Sequence, residues 1–345
     1  MTKNTSRTLT ALGVMLVIAA IGGTLAWRLA TPRWSRKVAV TPPKAGPAPR
    51  HIRVLVANIK LADPADGVNR WSKRRRLLLT VFRKYHAQIM GLQESTPAQT
   101  AYLGLHLHNY AHYPGIGGAA NVFKALTGAL ASWDQIFFRA DRFSLVTASH
   151  GALRPNHPQR NATENAYYSL VVLADRRHVL PDIIVIDTHL RHGVPNAAIC
   201  AQHIQIRLRQ AWQRFPNALA VVMGDMNHDR TVTPVYRALE GFPGAARQPL
   251  WKMTDAFNYA AKPAGVWWGT WQDFTGQPHE EWPSDLIFVS HGWRYTPSYI
   301  IRDHSPQGRY PTDHFLVTTV VAPRRRLDAP ALMVIPKRHG VRSGK

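Results

Sequence analysis

The chain is poor in cysteine and in acidic residues. One of its 345 residues is cysteine, Cys200, so an intrachain disulfide and a cysteine-rich zinc site are both excluded. There are 20 acidic residues against 43 lysines and arginines, which gives a formal net charge of +23. This shortage of carboxylates favours an anionic partner: nucleic acid, a phosphorylated molecule or an anionic membrane surface.

The positive charge is concentrated in the two tails. Residues 1–50 hold eight basic and no acidic residues, and residues 323–345 hold seven basic residues and one acid. Contact between these tails and acidic lipid is the simplest interpretation of their charge. The remaining residues, 51–322, still contain more basic than acidic side chains, so the central part also suits an anionic ligand.

A run of 20 residues without charge, Thr8 to Trp27, follows a basic tail over residues 1–7. Its length matches one bilayer crossing, so we predict a transmembrane anchor over 8–27 and a single-pass location in the cell membrane. A cleaved signal peptide is the alternative. Because basic residues flank both ends, charge does not indicate on which side of the membrane the rest lies.

The remaining chain is predicted to contain one domain. Residues 28–50 are rich in proline and predict a linker, residues 51–322 a catalytic domain, and residues 323–345 a basic tail. No internal repeat is present. Short apolar runs alternate with helical stretches, which predicts the α/β (α+β) class. Strands are expected at 52–59, 88–94, 134–139, 169–174, 182–190, 219–227, 284–290 and 316–321, and helices from Trp71 onward and across 197–215.

Polar residues recur at the ends of these predicted strands. In "VVMGDMN", Gly224, Asp225 and Asn227 are typical turn residues, so a turn after the strand is the first interpretation. The same pattern at several strands instead indicates a shared cleft, because buried polar groups without partners are costly. The residues involved are Asn58, Glu94, Asp187, His189, Asp225, Asn227, Asp285, Asp313 and His314.

The types of these residues indicate a chemistry. Carboxylate and amide oxygens favour a hard cation, Mg²⁺ or Mn²⁺, which commonly binds one or two protein carboxylates and a substrate phosphate. Histidines can donate to phosphate oxygens or move protons. Together these groups predict hydrolysis of a phosphoester by water.

The motifs NI, LQE, DTHL, GDMN, SDLIFV and TDHF, in this order, resemble the endonuclease/exonuclease/phosphatase superfamily, which has the deoxyribonuclease-I-like fold. The resemblance covers roughly residues 51–322, and stretches such as "DQIFFRADRFSLV" and "GTWQDFTG" are similar to a bacterial branch. It implies a four-layer sandwich of two stacked mixed β-sheets flanked by helices. With the N-terminal transmembrane helix, the chain resembles a membrane-anchored bacterial member.

The resemblance also implies roles for individual residues. On the metal side, Glu94 resembles the metal-binding glutamate, with Asn58 beside it and Asp313 as a further carboxylate. Asp225 resembles the aspartate that orients or deprotonates the attacking water. The remaining catalytic positions are Asn227 as a hydrogen-bonding companion of Asp225, His189 as a phosphate-contacting histidine, His314 as the second catalytic histidine, and Asp285 as the carboxylate that orients His314.

Two positions depart from the family pattern. Ser132 occupies the place of a glutamate that supports the first histidine, and Ala166 that of an arginine before the middle strand. Asp134 lies close to Ser132 in sequence but is expected to point away from the site. These departures concern the part of the site that contains His189.

Three functions follow from these expectations. The first is a Mg²⁺- or Mn²⁺-dependent phosphodiesterase that acts on nucleic acid or a lipid headgroup. The second is a phosphomonoesterase that acts on an inositol lipid or a phosphorylated small molecule. The third is a membrane-tethered polyanion-binding protein whose active site is weakened. Motifs alone do not separate the first two, because both use the same mechanism.

Overall fold

The computed structural model describes residues 50–114, 133–153, 166–241 and 252–324. The predicted anchor over 8–27, the linker up to residue 49 and the tail beyond residue 324 lie outside these ranges. Within them, no helix is both long enough and apolar enough to cross a membrane. The membrane anchor therefore stays a prediction.

The first sheet is mixed and is built around β1 (Ile52–Asn58). This strand is parallel to β2 (Ile89–Ser95) and antiparallel to β13 (Leu316–Pro323). Six of its seven residues are buried, as expected for a central strand covered on both faces. Next to β2 lies β4 (Trp133–Arg139), followed by β3 (Tyr110–Pro114), while β11 (Trp293–Tyr295) and β12 (Tyr299–Ile301) both pair with β13.

The second sheet is also mixed. Its central strands, β7 (Ile183–His189) and β8 (Leu219–Asp225), are parallel, and its other pairings are antiparallel. The order across this sheet is β5 (Phe143–Ala152), β6 (Tyr167–Asp175), β7, β8, β10 (Asp285–Ser290) and β9 (Met253–Asp255).

The two sheets pack against each other, with β1 facing β8 and β2 facing β7. The helices α1 (Trp71–Tyr85) and α2 (Pro97–His106) bury apolar side chains against the first sheet. The helices α3 (Val194–Arg214) and α4 (Thr233–Glu240) do the same in the core that includes the second sheet. Two mixed sheets flanked by helices confirm the predicted α/β class.

The motif alone suggested that the chain turns at Gly224, but the structure shows no turn there. Gly224 lies inside β8, where it pairs with Thr188 of β7. Its φ is +152°, and a Cβ atom at this position would overlap the carbonyl oxygen of Thr188. Glycine is required here because the two strand backbones approach each other closely.

Strand direction brings the predicted polar residues to one end of the sheets. β1, β2, β7 and β8 end there, while β10 and β13 start there because they run antiparallel to β8 and β1. Asp225 and Asp285 are direct cross-strand partners, and so are His189 and Asp225. This end of the domain therefore carries the candidate site.

Candidate active site

Asp225 lies at the centre of the polar cluster. Its Oδ2 accepts a hydrogen bond from Asn58 Nδ2 at 3.0 Å and lies 3.4 Å from His189 Nε2 and 3.8 Å from His314 Nε2. Burial disfavours the ionised form, but the charges of the two histidines and the bond from Asn58 hold the pKa of Asp225 below its usual value. Asp225 is therefore a carboxylate placed between two imidazole rings.

The second imidazole is held by a buried carboxylate. Asp285 Oδ2 lies 2.8 Å from His314 Nδ1, which leaves Nε2 directed toward Asp225. Burial lowers the pKa of His314, but Asp285 and Asp225 outweigh it and raise that pKa to about 10. Burial raises the pKa of Asp285, and the charge of His314 opposes the rise. One ring nitrogen is thus fixed so that the other faces the cleft.

Asp225, Asp285 and His314 also form a group whose ligand atoms lie within 4.8 Å of one another, close enough to hold a cation. However, His314 Nδ1 and Asp285 Oδ2 already share a hydrogen bond. The distances between these three residues would allow a cation to bind here. The hydrogen bond between His314 and Asp285 instead favours a role in proton transfer.

Asn58 and Glu94 form the adjacent part of the cluster. Asn58 Nδ2 donates to Glu94 Oε1 at 3.1 Å, and the backbone N–H of Leu61 donates to Oε2 at 3.1 Å. Burial opposes ionisation of Glu94, but the charge of His189 and these two hydrogen bonds hold its pKa below the usual value. Glu94 is therefore an ionised oxygen donor at the end of β2.

Asp313 faces Glu94 from the segment before β13. Lys60 Nζ lies 3.5 Å from Asp313 Oδ2, and although burial opposes it, the charges of Asp313 and Glu94 raise the pKa of Lys60. Burial raises the pKa of Asp313. The Lys60 ammonium thus compensates part of the negative charge of Asp313, in the segment before β13, and of Glu94, in β2. Carboxylate oxygens of this kind fit Mg²⁺ or Mn²⁺.

His189 and Asn227 complete the set of predicted residues. Asn227 Nδ2 lies 2.8 Å from His189 Nε2 and donates to the carbonyl oxygen of Leu190 at 2.6 Å, while its backbone N–H donates to Asp225 Oδ1 at 2.9 Å. The structure thus brings together all eight residues that the sequence assigned to catalysis or metal binding.

The expectation that Asp134 points away from the site is wrong. Its side chain is buried, and it accepts a hydrogen bond from the backbone N–H of His189. Burial raises the pKa of Asp134 to about 7, while the charges of His189 and Arg191 oppose the rise. Asp134 therefore provides a carboxyl group beside His189, although Ser132 lies outside the described residues and Ala166 is a buried apolar residue.

A second buried carboxyl group, that of Asp187, lies near Asp134. Asp187 accepts a hydrogen bond from Gln93 Nε2 at 2.6 Å, and burial together with the nearby charge of Asp134 raises its pKa well above the usual value. A Cβ atom at Gly91 would overlap this carboxyl group, so Gly91 leaves the space that Asp187 occupies. The sequence placed Asp187 near the site but gave no indication of its burial.

Arg74 on α1 was not identified from the sequence, where it is one of three consecutive arginines. Its guanidinium is buried and donates to four backbone carbonyl groups near the site, those of Ile59, Lys60, Leu61 and Pro311. Burial lowers its pKa to about 10. Arg74 thus fixes the loop after β1 to the segment that carries Asp313 and His314.

Three of the seven non-glycine residues that have a positive φ in the described part of the chain lie at the site. Lys60, Glu94 and Asn227 have φ values of 53°, 58° and 50°, which are uncommon for residues other than glycine. Such conformations persist where the surrounding contacts over-determine them, and they cluster at active sites. The strain is consistent with a functional cleft at this end of the sheets.

Trp271 lies at the rim of the site. It forms an isolated antiparallel bridge with His314, so both side chains lie on the same face. The residue is 40% exposed, and its ring packs 4.6 Å from that of His279.

The half-buried Glu280 adds negative charge near Asp225, and burial raises the pKa of Glu280.

The sequence profile of the Endonuclease/Exonuclease/phosphatase family matches residues 56–314. The chain belongs to this family, whose members hydrolyse phosphoesters. No curated protein sequence matches the chain significantly.

Solved structures share this fold at low sequence identity. An endonuclease/exonuclease/phosphatase family protein from Bacteroides thetaiotaomicron has a TM-score of 0.65 at 20% identity, covering 79% of this chain and 95% of that one. A mannosyl-6-phosphatase from the same organism has a TM-score of 0.64 at 20% identity, covering 79% and 99%. D. rerio TDP2, complexed with a single-strand DNA product, has a TM-score of 0.55 at 16% identity, covering 79% and 98%.

Proposed function

We propose that this chain is a Mg²⁺- or Mn²⁺-dependent phosphodiesterase that acts on nucleic acid or on a lipid headgroup. One observation carries the proposal: Asp225 lies between two imidazole nitrogens, 3.4 Å from His189 and 3.8 Å from His314. A carboxylate in this position can accept a proton from water while the neighbouring imidazoles donate to phosphate oxygens.

In this proposal, Asp225 orients the attacking water and accepts its proton. Asn58 and the backbone N–H of Asn227 each donate to this carboxylate, so its oxygens are held in place before substrate binds. Its lowered pKa keeps it ionised at neutral pH. Fixed hydrogen bonds of this kind reduce the reorganisation needed in the transition state.

His314 is proposed as the cationic donor to the phosphate group or to the leaving oxygen. Its pKa of about 10 keeps the ring protonated at neutral pH, and Asp285 fixes the orientation of the ring. His189 is proposed to contact the phosphate from the other side of Asp225, held by Asn227. The two imidazoles would then support the same phosphate group from two directions.

Glu94 and Asp313 are the proposed metal ligands, with Asn58 beside them. A divalent cation held there would neutralise phosphate charge and favour attack by water. Lys60 contributes a further positive charge, since its ammonium lies 3.5 Å from Asp313. We assign Asp285 and His314 to proton handling because they are already hydrogen-bonded to each other.

A phosphomonoesterase is the second candidate, supported by the fold shared with the mannosyl-6-phosphatase from Bacteroides thetaiotaomicron. The third, a polyanion-binding protein with a weakened site, is opposed by the convergence of Glu94, Asp225, Asp285 and His314. The basic composition of the chain is compatible with nucleic acid, an inositol lipid or another phosphorylated substrate.

A substrate panel separates these candidates. The full chain should be tested on bis(p-nitrophenyl) phosphate, p-nitrophenyl phosphate and plasmid DNA, with Mg²⁺, with Mn²⁺ and with excess chelator. The proposal predicts metal-dependent hydrolysis of the diester that chelator abolishes. Preference for the monoester would favour the phosphomonoesterase. Metal-independent binding of DNA without hydrolysis of any ester would favour the polyanion-binding protein.

A further inference from the structure

A basic cavity lies at the end of the domain opposite the candidate active site. Its volume is about 430 Å³, and four arginines line it together with Asp141, His51 and His86: Arg53, Arg139, Arg142 and Arg177. Arg53 is near the start of β1, whereas Asn58 of the active site ends this strand. Five residues of extended chain separate the two positions by roughly 16 Å.

Ion pairs leave part of this positive charge uncompensated. Arg139 binds Asp141 through Nε and Nη2, and Arg142 Nε lies 3.0 Å from Asp175 Oδ1. Among the residues that the structure describes, Arg53 and Arg177 form no ion pair. The cavity therefore contains two guanidinium groups without a carboxylate within 4.0 Å beside two paired ones, although the charge of Arg177 also lowers the pKa of Asp141.

The arginines also repel one another. Burial lowers the pKa of Arg142, and the positive charge of Arg177 lowers it further. A bound anion would relieve this repulsion. Guanidinium groups bind phosphate oxygens through paired, charge-assisted hydrogen bonds, so phosphate is the ligand chemistry that matches four arginines around one cavity.

The path of the chain indicates the source of the phosphate. Ile52 at the start of β1 pairs with Val321 near the end of β13, so both basic tails join the domain at the end that contains the cavity. The segment before residue 50 includes the uncharged run over 8–27 that predicts a membrane anchor. If this predicted anchor spans a bilayer, phospholipid headgroups are the anionic groups that the linker over 28–50 brings within reach of the start of β1.

We propose that the cavity binds the phosphate of an anionic phospholipid headgroup, and that this contact directs the active site away from the bilayer. The proposal rests on the predicted anchor and not on the proposed hydrolase activity. Arg53 and Arg177, which form no ion pair within 4.0 Å, are the residues proposed to contact the headgroup.

Calorimetric titration of the full chain in non-ionic detergent tests the binding step. The probes are glycerophosphoglycerol, glycerophosphocholine, inorganic phosphate and a short DNA duplex, all in excess chelator. Glycerophosphoglycerol should bind, and Arg53→Gln combined with Arg177→Gln should weaken it by about tenfold or more, because two charge-assisted hydrogen bonds are lost. Lys73→Gln with Arg76→Gln is the matched control, since it removes two exposed charges from α1.

A second measurement tests the membrane contact. In nanodiscs, hydrogen exchange in the turns 140–142 and 176–178 should be slower with phosphatidylglycerol present than with phosphatidylcholine alone. The double variant at 53 and 177 should lose this difference while keeping the wild-type rate on any soluble substrate.

Several results would overturn the proposal. These are equal headgroup binding by wild type and the cavity variant, an equal loss in the α1 control, or exchange rates that do not depend on lipid charge. Binding of inorganic phosphate without glycerophosphoglycerol would make the cavity a free-anion site. Loss of DNA binding alone in the cavity variant would make it a nucleic-acid site.

Discussion

Two carboxylates, Asp285 and Asp225, stabilise the protonated form of the buried His314 imidazole. Asp285 contacts Nδ1 at 2.8 Å and Asp225 lies 3.8 Å from Nε2, so the ring remains protonated to about pH 10. If this proton is used in hydrolysis, activity should fall as pH rises through the pKa of His314. Removal of one carboxylate should lower that pKa.

We therefore predict that His314→Ala lowers kcat by about 10²–10⁴-fold with a smaller effect on KM. Asp285→Asn should lower kcat less and move the alkaline limb of the pH–rate profile to lower pH. Asp303→Asn, which removes a surface ion pair with Lys84, is the control and should leave the profile unchanged. Wild-type kcat in His314→Ala, or an unmoved alkaline limb in Asp285→Asn, would contradict the assigned role.

A second prediction concerns the buried Asp134. Its pKa is about 7 in the folded chain against 3.8 ordinarily, so the protonated form favours the folded state. The stability that this group provides is fully present below about pH 4 and is lost as pH rises through about 7. Asp134→Asn cannot ionise, so its Tm relative to wild type should increase between these values.

Thermal unfolding of the full chain at several pH values checks this, with Asp182→Asn before β7 as the control. A constant difference in Tm between Asp134→Asn and wild type would show that Asp134 does not titrate in this range. The control should show no pH-dependent difference from wild type.

At the scale of elements, the long buried strands were predicted from sequence. β1, β2, β4, β6, β7, β8, β10 and β13 all lie where apolar runs predicted them, and so do α1 and α3. Sequence reasoning missed α2 and α4, and it missed the strands β3, β5, β9, β11 and β12. The missed strands lie at sheet edges or have only three residues, and β5 has mostly partly exposed residues, so no clear apolar pattern marks them.

The residues of the candidate site also fall into two groups, those that the sequence made recognisable and those that only the structure reveals. Asp225 and His189 end apolar strands, and that position made them recognisable. Asp134, Lys60 and Arg74 depend on contacts between elements that are distant in sequence. Arg74, for example, approaches the carbonyl group of Pro311 only because α1 packs beside the segment before β13. One sequence contains no signal for such a contact.

Arg74 gives an element-scale prediction. Arg74→Met should reduce the free energy of unfolding by about 3 kcal/mol or more, since each buried carbonyl group left without a partner costs about 1–3 kcal/mol. It should also lower kcat, because the loop after β1 is no longer fixed near Asp313. Arg76→Met, an exposed arginine on the same helix, is the control.

Denaturant unfolding and steady-state kinetics measure the two effects of this substitution. If Arg74→Met and Arg76→Met changed the free energy of unfolding and kcat by similar amounts, the effect would come from lost charge on the helix. Arg74 would then not be needed to hold the loop after β1.

At the scale of the whole molecule, the domain has two chemically different ends. Carboxylates and histidines gather where β1 and β8 end, whereas arginines line a cavity near the start of β1 and the end of β13. Both basic tails join the domain at the arginine-rich end. This arrangement suits a tethered protein whose active site is directed away from an anionic surface.

The predicted anchor has its own test. The full chain should stay in the membrane fraction after high-salt and carbonate washes, because an uncharged run of 20 residues can cross the bilayer. A truncated chain that begins at Arg50 should be recovered in the soluble fraction. Release of the full chain by salt alone would mean that the basic tails, and no spanning helix, hold it at the membrane.

The most direct test of the central claim is the rate of bis(p-nitrophenyl) phosphate hydrolysis by the full chain in Mg²⁺ or Mn²⁺, compared between wild type, Asp225→Asn and Glu94→Gln. Metal-dependent hydrolysis by wild type is predicted, with a loss of about 10²-fold or more in Asp225→Asn, whose amide cannot accept the proton of water. Glu94→Gln should require more metal for half-maximal rate. Full activity in excess chelator, or equal rates in wild type and Asp225→Asn, would contradict the account.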